Sequence, residues 1–208
     1  MTRISELLKR LVEGGVEVTS AIKRVMIETD VESFSDYDCD PFYSDRPIPF
    51  TETELGEIKT ISAPHMIVTL LHYMELLDEQ EVIIIGSKGG YLAALIAQLV
   101  GEKGVVRVLD TCSNVISHSK QRLTHWPTIE FRELESIEVS PVAFPGEFDR
   151  VLITGNIDQL PNWITSRISD TGFVIAPLGP SSNQHLMKIE RQGDELFPTN
   201  LGPVCFGP

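Results

Sequence analysis

The chain has 208 residues, of which 42% are hydrophobic and 23% charged, proportions usual for a soluble globular protein. This length suffices for one sizeable α/β domain with a small extension. The formal net charge of −13 argues against a nucleic-acid partner, because binding to a phosphate backbone relies on clustered lysine and arginine.

The first 28 residues predict two helices. Apolar residues recur at helical spacing from Ile4 to Val12, and Gly14 ends the pattern. Thr19 or Ser20 can cap the second helix. The first helix is charged throughout, which is not typical of a signal peptide, and no apolar run is long enough to span a bilayer. We therefore expect a cytoplasmic protein without a membrane partner.

Two further features concern order and metal binding. Residues 28–59 lack a clear periodicity but carry several aromatic side chains, which favour an ordered segment that covers the domain.

The three cysteines are far apart and show no metal-binding spacing, so the sequence predicts neither a metal site nor a disulfide framework. This cysteine usage is typical of a reducing compartment.

From residue 62 onward, helices and apolar strands alternate. The predicted elements are helix 64–77, strand 82–85, helix 91–100, strand 105–109, helix 114–123, strands 129–132 and 148–154, helix 160–168, strand 173–177 and an extended stretch 185–191. Such alternation predicts a doubly wound α/β fold with a mostly parallel sheet. We expect one domain over 1–208, in which 1–59 form the helices and cover and 60–208 form the core. A tail rich in proline and glycine ends abruptly at Pro208, which leaves room for a continuation.

The most informative stretch is the strand 82–85 and the loop Gly86-Ser87-Lys88-Gly89-Gly90 that follows it. A buried strand, a glycine-rich turn and a helix N-terminus form a nucleotide-binding corner in open α/β sheets. Asp110 ends the next strand, where an acidic side chain can accept hydrogen bonds from ribose hydroxyls. Taken alone, the loop also fits a plain turn and Asp110 a helix N-cap. Together they favour an adenosine-containing cofactor, either NAD or S-adenosylmethionine.

A second motif narrows this choice. Thr60-Ile61-Ser62-Ala63-Pro64-His65-Met66 resembles the signature segment of protein-L-isoaspartate O-methyltransferases and stands one helix before the loop. The loop and Tyr91 resemble that family's Gly-Thr-Gly-Ser-Gly-Tyr. The segments that begin at Phe148 and Gly172 resemble later strands of the family.

Four sites depart from the family pattern, one of them at 26–29, where Met-Ile-Glu-Thr replaces Val-Pro-Arg-Glu. Ile84 stands two positions before the loop, where the family has an acid, and Lys88 replaces the middle glycine. Leu134-Glu135-Ser136 replaces Gly-Asp-Gly, with Glu135 retaining an acid for the adenine. An alternative interpretation is therefore a catalytically weakened relative that acts as a binding module. A nicotinamide-dependent oxidoreductase is disfavoured by Lys88, which hinders backbone approach to a pyrophosphate, and by the 60–66 motif.

The resemblance implies a Rossmann-like enzyme that transfers a methyl group from S-adenosyl-L-methionine to isoaspartyl carboxyl groups in damaged proteins, leaving S-adenosyl-L-homocysteine. It implies Ser62 as the catalytic hydroxyl, and Ala63 and His65 as substrate-binding residues, although Ser62 can also cap a helix. The partners implied are isoaspartyl-containing proteins and peptides, and we expect a monomer. The cofactor-binding residues it implies are Gly86, Ser87, Lys88, Gly90, Tyr91, Asp110 and Glu135.

Overall fold

A computed structural model describes residues 2–141 and 146–207, so Pro208 and any continuation from it lie outside the described residues. The helices are α1 (Arg3–Glu13), α2 (Ser20–Glu28), α3 (Pro64–Met74), α4 (Tyr91–Val100), α5 (Ser113–Arg122) and α6 (Asn162–Thr165). The strands are β1 (Ile48–Glu52), β2 (Ile58–Ile61), β3 (Glu81–Ile85), β4 (Val105–Asp110), β5 (Ile129–Glu133), β6 (Phe148–Ile153), β7 (Ile168–Leu178), β8 (Gln184–Gln192) and β9 (Glu195–Val204). Short 3₁₀ helices cover Val31–Phe34, Asp40–Ser44 and Lys88–Gly90.

The main sheet confirms the predicted α/β class. Within the described ranges its strand order is β5-β4-β3-β6-β7-β8-β9. The strands from β5 to β7 run parallel, while β8 and β9 are antiparallel to their neighbours. The chain winds outward in one direction from β3 to β5 and in the other from β6 onward. Ligands bind at such a switch point, beyond the carboxyl ends of the strands.

Strand β3 is buried on both faces, which explains its uninterrupted apolar sequence. Ile84 is fully buried in the cluster that contains the side chains of α3 and α4. Ile83 and Ile85 lie in a second cluster on the opposite face, with Ile164 of α6. Each full burial of such a side chain stabilises the fold by about 1.5–3 kcal/mol.

Three parts of the chain differ from the sequence expectation. The helix expected at 160–168 is shorter, because Ile168 already pairs with Phe148 as the first residue of β7. The tail rich in proline and glycine, for which no strand was predicted, forms β9, which pairs with β8 along its length. β9 tolerates Pro198 and Pro203 because it lies at the edge of the sheet, where proline is permitted. Finally, the stretch 28–59 contains the hairpin β1–β2.

The covering segment packs onto the core through aromatic side chains. Tyr91, at the start of α4, makes edge-to-face contacts with Phe34 and Phe42 at centroid distances of 5.4 and 5.7 Å. Arg122 of α5 forms an ion pair with Asp36 on the same segment. In the part of the chain that the structure describes, every helix is too short or too polar to cross a bilayer.

His118 of α5 binds the covering segment through a hydrogen bond and a ring contact. Its Nε2 donates to the backbone carbonyl oxygen of Phe34 at 2.9 Å, and its ring lies 5.0 Å from that of Phe50. Burial lowers the pKa of His118 below its ordinary value, with Arg122 acting in the same direction, against the hydrogen bond to Phe34 and the charge of Asp36. The folded state therefore disfavours the protonated imidazole.

We expect the free energy of unfolding to fall as the pH is lowered from 7.5 to 5.5, because His118 binds a proton more readily in the unfolded chain. The stabilisation is complete above the unfolded pKa and is lost as the pH falls through the folded one. His118→Gln keeps a donor but does not titrate, so its free energy of unfolding should fall less over this interval. Urea denaturation at the two pH values measures both, with exposed His125→Gln as the control. Equal losses in His118→Gln and the unchanged protein would contradict the assignment.

Candidate active site

A pocket of about 420 Å³ opens beyond the carboxyl ends of β3, β4 and β6, at the switch point of the sheet. Its volume lies in the range of small-molecule sites. One wall comes from the hairpin β1–β2 through Phe50, Lys59 and Thr60. The remainder includes Gly86 and Lys88 after β3, Asp110 to Cys112 after β4, Ile137, and Thr154 to Ile157 after β6.

The glycine loop forms the floor of this pocket. Gly86 has φ of +93°, a conformation that residues with a Cβ rarely adopt. A Cβ atom at this position would lie 2.2 Å from Oγ1 of Thr154. That hydroxyl donates to the carbonyl oxygen of Gly86 at 2.8 Å, so the close approach and the hydrogen bond hold the loop against the end of β6.

Asp110 orders the loop from the other side. Its Oδ2 accepts a hydrogen bond from the backbone N–H of Ser87 at 2.9 Å, and its Oδ1 accepts one from that of Cys112 at 3.0 Å. The Ser87 hydroxyl bonds that of Ser119 at 2.8 Å, which adds a tie to α5. Each carboxylate oxygen has a second lone pair. Asp110 can therefore accept from a ligand's hydroxyl groups while it holds the loop.

Lys88 is the non-glycine residue of this loop that adopts a left-handed conformation, with φ of +45°. Its side chain lines the pocket, and its Nζ lies 5.9 Å from the ring centroid of Phe206. Burial lowers the pKa of the ammonium group, the neighbouring Lys59 lowers it further, and Asp110 opposes both.

Four of the predicted cofactor residues do not line this pocket. Ser87 is buried and bonds Asp110 through its backbone N–H. Tyr91 is fully buried among the aromatic side chains of the covering segment. Gly90 is buried against Leu123, where a Cβ would lie 2.9 Å from a methyl carbon of that leucine. Glu135 is exposed and lines a separate cleft, while Ile137 reaches the main pocket.

The predicted substrate residues follow β2 directly. Ser62 is half-buried, and among the described residues its hydroxyl has no hydrogen-bond partner; the N-cap position of α3 belongs to Ala63 instead. His65 donates its backbone N–H to Asp45 at 2.8 Å and places Nδ1 3.0 Å from the same carboxylate. This pair lies in a different groove, beside Arg10. Ser62 is not among the residues that line the main pocket and follows the pocket-lining Thr60 by two positions, while His65 lines the other groove.

Several pocket residues escaped the sequence analysis. Lys59 and Thr60 belong to the unpredicted hairpin; Thr60 begins the 60–66 motif, but neither residue was assigned to the site. Thr154 and Asn156 follow β6, and their position after a predicted strand is the signal that could have found them. Within the described ranges, the buried Oδ1 of Asn156 has no hydrogen-bond partner, although the residue lines the pocket. No cluster of metal-ligating side chains is found among the described residues.

Comparisons with known proteins agree over the whole chain. A sequence model of the protein-L-isoaspartate(D-aspartate) O-methyltransferase family matches residues 2–208. A protein-L-isoaspartate O-methyltransferase of Nitrobacter winogradskyi is 30% identical over 170 residues, covering 79% of this chain and 76% of the relative. That of Methanosarcina mazei is 26% identical over 98% of this chain and 83% of its own length.

A solved structure shows the same fold. The β-aspartate methyltransferase of Plasmodium falciparum, crystallised in complex with S-adenosyl-L-homocysteine, superposes with a TM-score of 0.83 at 21% identity. The match covers 100% of this chain and 98% of that one.

We expect Gly86→Ala to destabilise the protein more than Gly15→Ala does. Both glycines have φ near +90°, at +93° and +89°, but a Cβ at Gly15 meets nothing within 4 Å. Gly15→Ala should cost about 1–2 kcal/mol from the backbone alone. Gly86→Ala adds the collision with Thr154 and should cost roughly 1–3 kcal/mol more. Denaturant unfolding measures both, and equal losses would show that the loop can move away from Thr154.

Proposed function

The chain belongs to the protein-L-isoaspartate(D-aspartate) O-methyltransferase family, and from this premise we propose that it methylates the free carboxyl group of L-isoaspartyl residues. The methyl donor is S-adenosylmethionine, and the cellular role is the repair of damaged proteins. The observation that carries the proposal is the pocket at the switch point, where Asp110 and the glycine loop lie together.

The pocket suits S-adenosylmethionine in both shape and chemistry. Phe50, Val115 and Ile137 provide apolar surface for an adenine ring. Asp110 offers carboxylate oxygens for ribose hydroxyls, and Gly86 allows close approach of a ligand to the backbone. The S-adenosylhomocysteine held by the structurally similar Plasmodium protein supports this assignment. Glu135 is exposed and lines a separate cleft, so its contact with adenine stays a prediction.

The proposed reaction depends mainly on positioning. When bound, S-adenosylmethionine supplies a methyl group that its positively charged sulfur activates. The isoaspartyl carboxylate is already ionised at neutral pH, so no residue has to act as a base. Ser62, whose hydroxyl has no hydrogen-bond partner in the part of the chain that the structure describes, would donate to the carboxylate oxygen that is not methylated and so fix the direction of the other. Ser62 is the catalytic residue of this proposal.

The substrate peptide would lie between the start of α3 and the covering segment. The backbone at Ala63 and His65 would shape the peptide site, and the bond from His65 to Asp45 holds that turn in place. The segment 36–50 would cover the peptide. The rest of the proposal is a monomeric, cytoplasmic enzyme that acts on isoaspartyl proteins and peptides without nucleic acid. Its single domain would combine the cover at 1–59 with the core at 60–208.

Incubation with radiolabelled S-adenosylmethionine should transfer label to an isoaspartyl peptide and not to the same peptide with normal aspartate. The reason is geometric: the isoaspartyl residue presents a free α-carboxylate, whereas the normal aspartyl residue presents a carboxylate at the end of its side chain. The measurement is base-labile methyl ester, counted after separation of the peptide.

Label on neither peptide, together with no calorimetric binding of S-adenosylhomocysteine, would rule out the proposed function. Binding of S-adenosylhomocysteine without turnover would instead support the alternative of a binding module. Label on both peptides would contradict the isoaspartyl specificity.

Ser62→Ala should lower kcat/KM for the isoaspartyl peptide about 10- to 100-fold, the value of one hydrogen bond to a charged group. S-adenosylhomocysteine affinity should stay near that of the unchanged protein, because the proposed contact is with the substrate. Thr60→Val removes the neighbouring pocket hydroxyl at nearly constant volume and serves as the matched control. A larger loss in Thr60→Val than in Ser62→Ala would move the role to Thr60.

A further inference from the structure

Lys88 carries a cation that no described residue of the protein neutralises by direct contact. Within the described ranges, its ammonium group has neither an ion pair nor a hydrogen bond, yet the side chain is largely withdrawn from water and faces the pocket. A buried charge is costly unless a partner is present. The backbone adds a second cost, because φ at Lys88 is +45°. A residue that combines both costs in a pocket wall is a candidate for ligand binding.

The charged neighbours of Lys88 leave its ammonium group free for a ligand. Asp110 is near enough to affect the pKa of Lys88, but both of its oxygens accept backbone N–H groups and neither is in ion-pair contact with Lys88. Lys59 repels Lys88 and is itself paired with Glu57 at 3.2 Å. The pocket therefore has an acceptor side at Asp110 and a cationic side at Lys88.

We propose that Lys88 binds the carboxylate of the amino-acid end of S-adenosylmethionine; this inference rests on the function proposed above. The ligand carries a ribose with two hydroxyl groups and, beyond the sulfur, a carboxylate. These two groups match the two sides of the pocket, hydroxyl groups against Asp110 and carboxylate against Lys88. A charge-assisted bond of this kind supplies the partner that the ammonium group lacks.

The carboxylate of the isoaspartyl substrate is the competing occupant, and its chemistry disfavours it. That group loses its negative charge as the methyl ester forms. An ammonium group bound to it would stabilise the reactant more than the transition state and so slow the reaction. The amino-acid carboxylate of the cofactor keeps its charge throughout, so an ion pair with Lys88 carries no such penalty.

The experiment compares two ligands that differ only at the amino-acid end. S-adenosylhomocysteine carries the carboxylate, whereas 5′-methylthioadenosine keeps the adenosine and the sulfur and lacks the amino acid. Calorimetry on the full chain should show Lys88→Met binding S-adenosylhomocysteine about tenfold or more weakly, which is about 1.4 kcal/mol. The affinity of Lys88→Met for 5′-methylthioadenosine should change by less than about twofold, which also verifies that the variant folds.

Two further variants serve as controls. Lys88→Arg retains the charge and should keep the affinity for S-adenosylhomocysteine within about threefold. Asp110→Asn alters the ribose side, so it should weaken both ligands together. The contrast between Asp110→Asn and Lys88→Met separates the two ends of the ligand.

Several results would overturn the inference. Equal weakening of both ligands in Lys88→Met would make Lys88 a structural residue of the loop, and a gain in affinity would show that it obstructs the pocket. Unchanged S-adenosylhomocysteine binding with a raised KM for the peptide would assign Lys88 to the substrate carboxylate. If the unchanged protein binds 5′-methylthioadenosine as tightly as S-adenosylhomocysteine, the inference about Lys88 fails while the proposed function stands. If it binds neither, the proposed function fails as well.

Discussion

The end of β3 is fixed to both neighbouring strands, and the site depends on that constraint. On one side, Gly86 donates its N–H to the carbonyl oxygen of Leu109 at 2.8 Å, and Ser87 donates to Asp110. On the other side, Thr154 donates its N–H to Ile85 at 2.9 Å and its hydroxyl to Gly86. The loop therefore connects the ends of β3, β4 and β6 at the point where the sheet changes winding direction. A ligand meets backbone that is already ordered before it binds, which lowers the entropic cost of binding.

The hairpin β1–β2, which lies upstream in the sequence, forms one wall of the site, and packing joins this wall to the glycine loop. Phe50 of the hairpin lies so close to Gly89 that a Cβ there would be 2.9 Å from its ring. The same ring contacts His118 on α5. Tyr91 in turn anchors the cover through Phe34. The cover and the cofactor loop thus form one packed unit, so a change that loosens the cover also changes the cofactor pocket.

Local signals predicted the elements whose sequence pattern is uninterrupted. The run 82–85 forms β3, and the structure places Gly86 and Asp110 in the lining of the same pocket. β1–β2 and β8–β9 are local antiparallel hairpins, but Pro49 in β1 and the prolines in β9 hide the strand character of these segments. Tyr91 and Glu135 were assigned to the cofactor site from motifs, and a motif shows only which residues are close together in sequence. Whether a side chain enters the pocket depends on backbone direction, and sequence spacing does not determine that direction.

The negative charge of the whole protein and the individual charges that line the site act over different distances. A net charge of −13 produces a field that opposes the approach of carboxylates, including those of isoaspartyl substrates. Over distances beyond about 8–10 Å, salt screens this field. Inside the pocket, the formal charges of Lys59 and Lys88 are balanced by those of Glu57 and Asp110, and low dielectric strengthens the effect of each. Because Lys59 is paired with Glu57, recognition of an anionic group here must come from Lys88 at short range, so the affinity for S-adenosylhomocysteine should depend only weakly on ionic strength while Lys88 remains protonated.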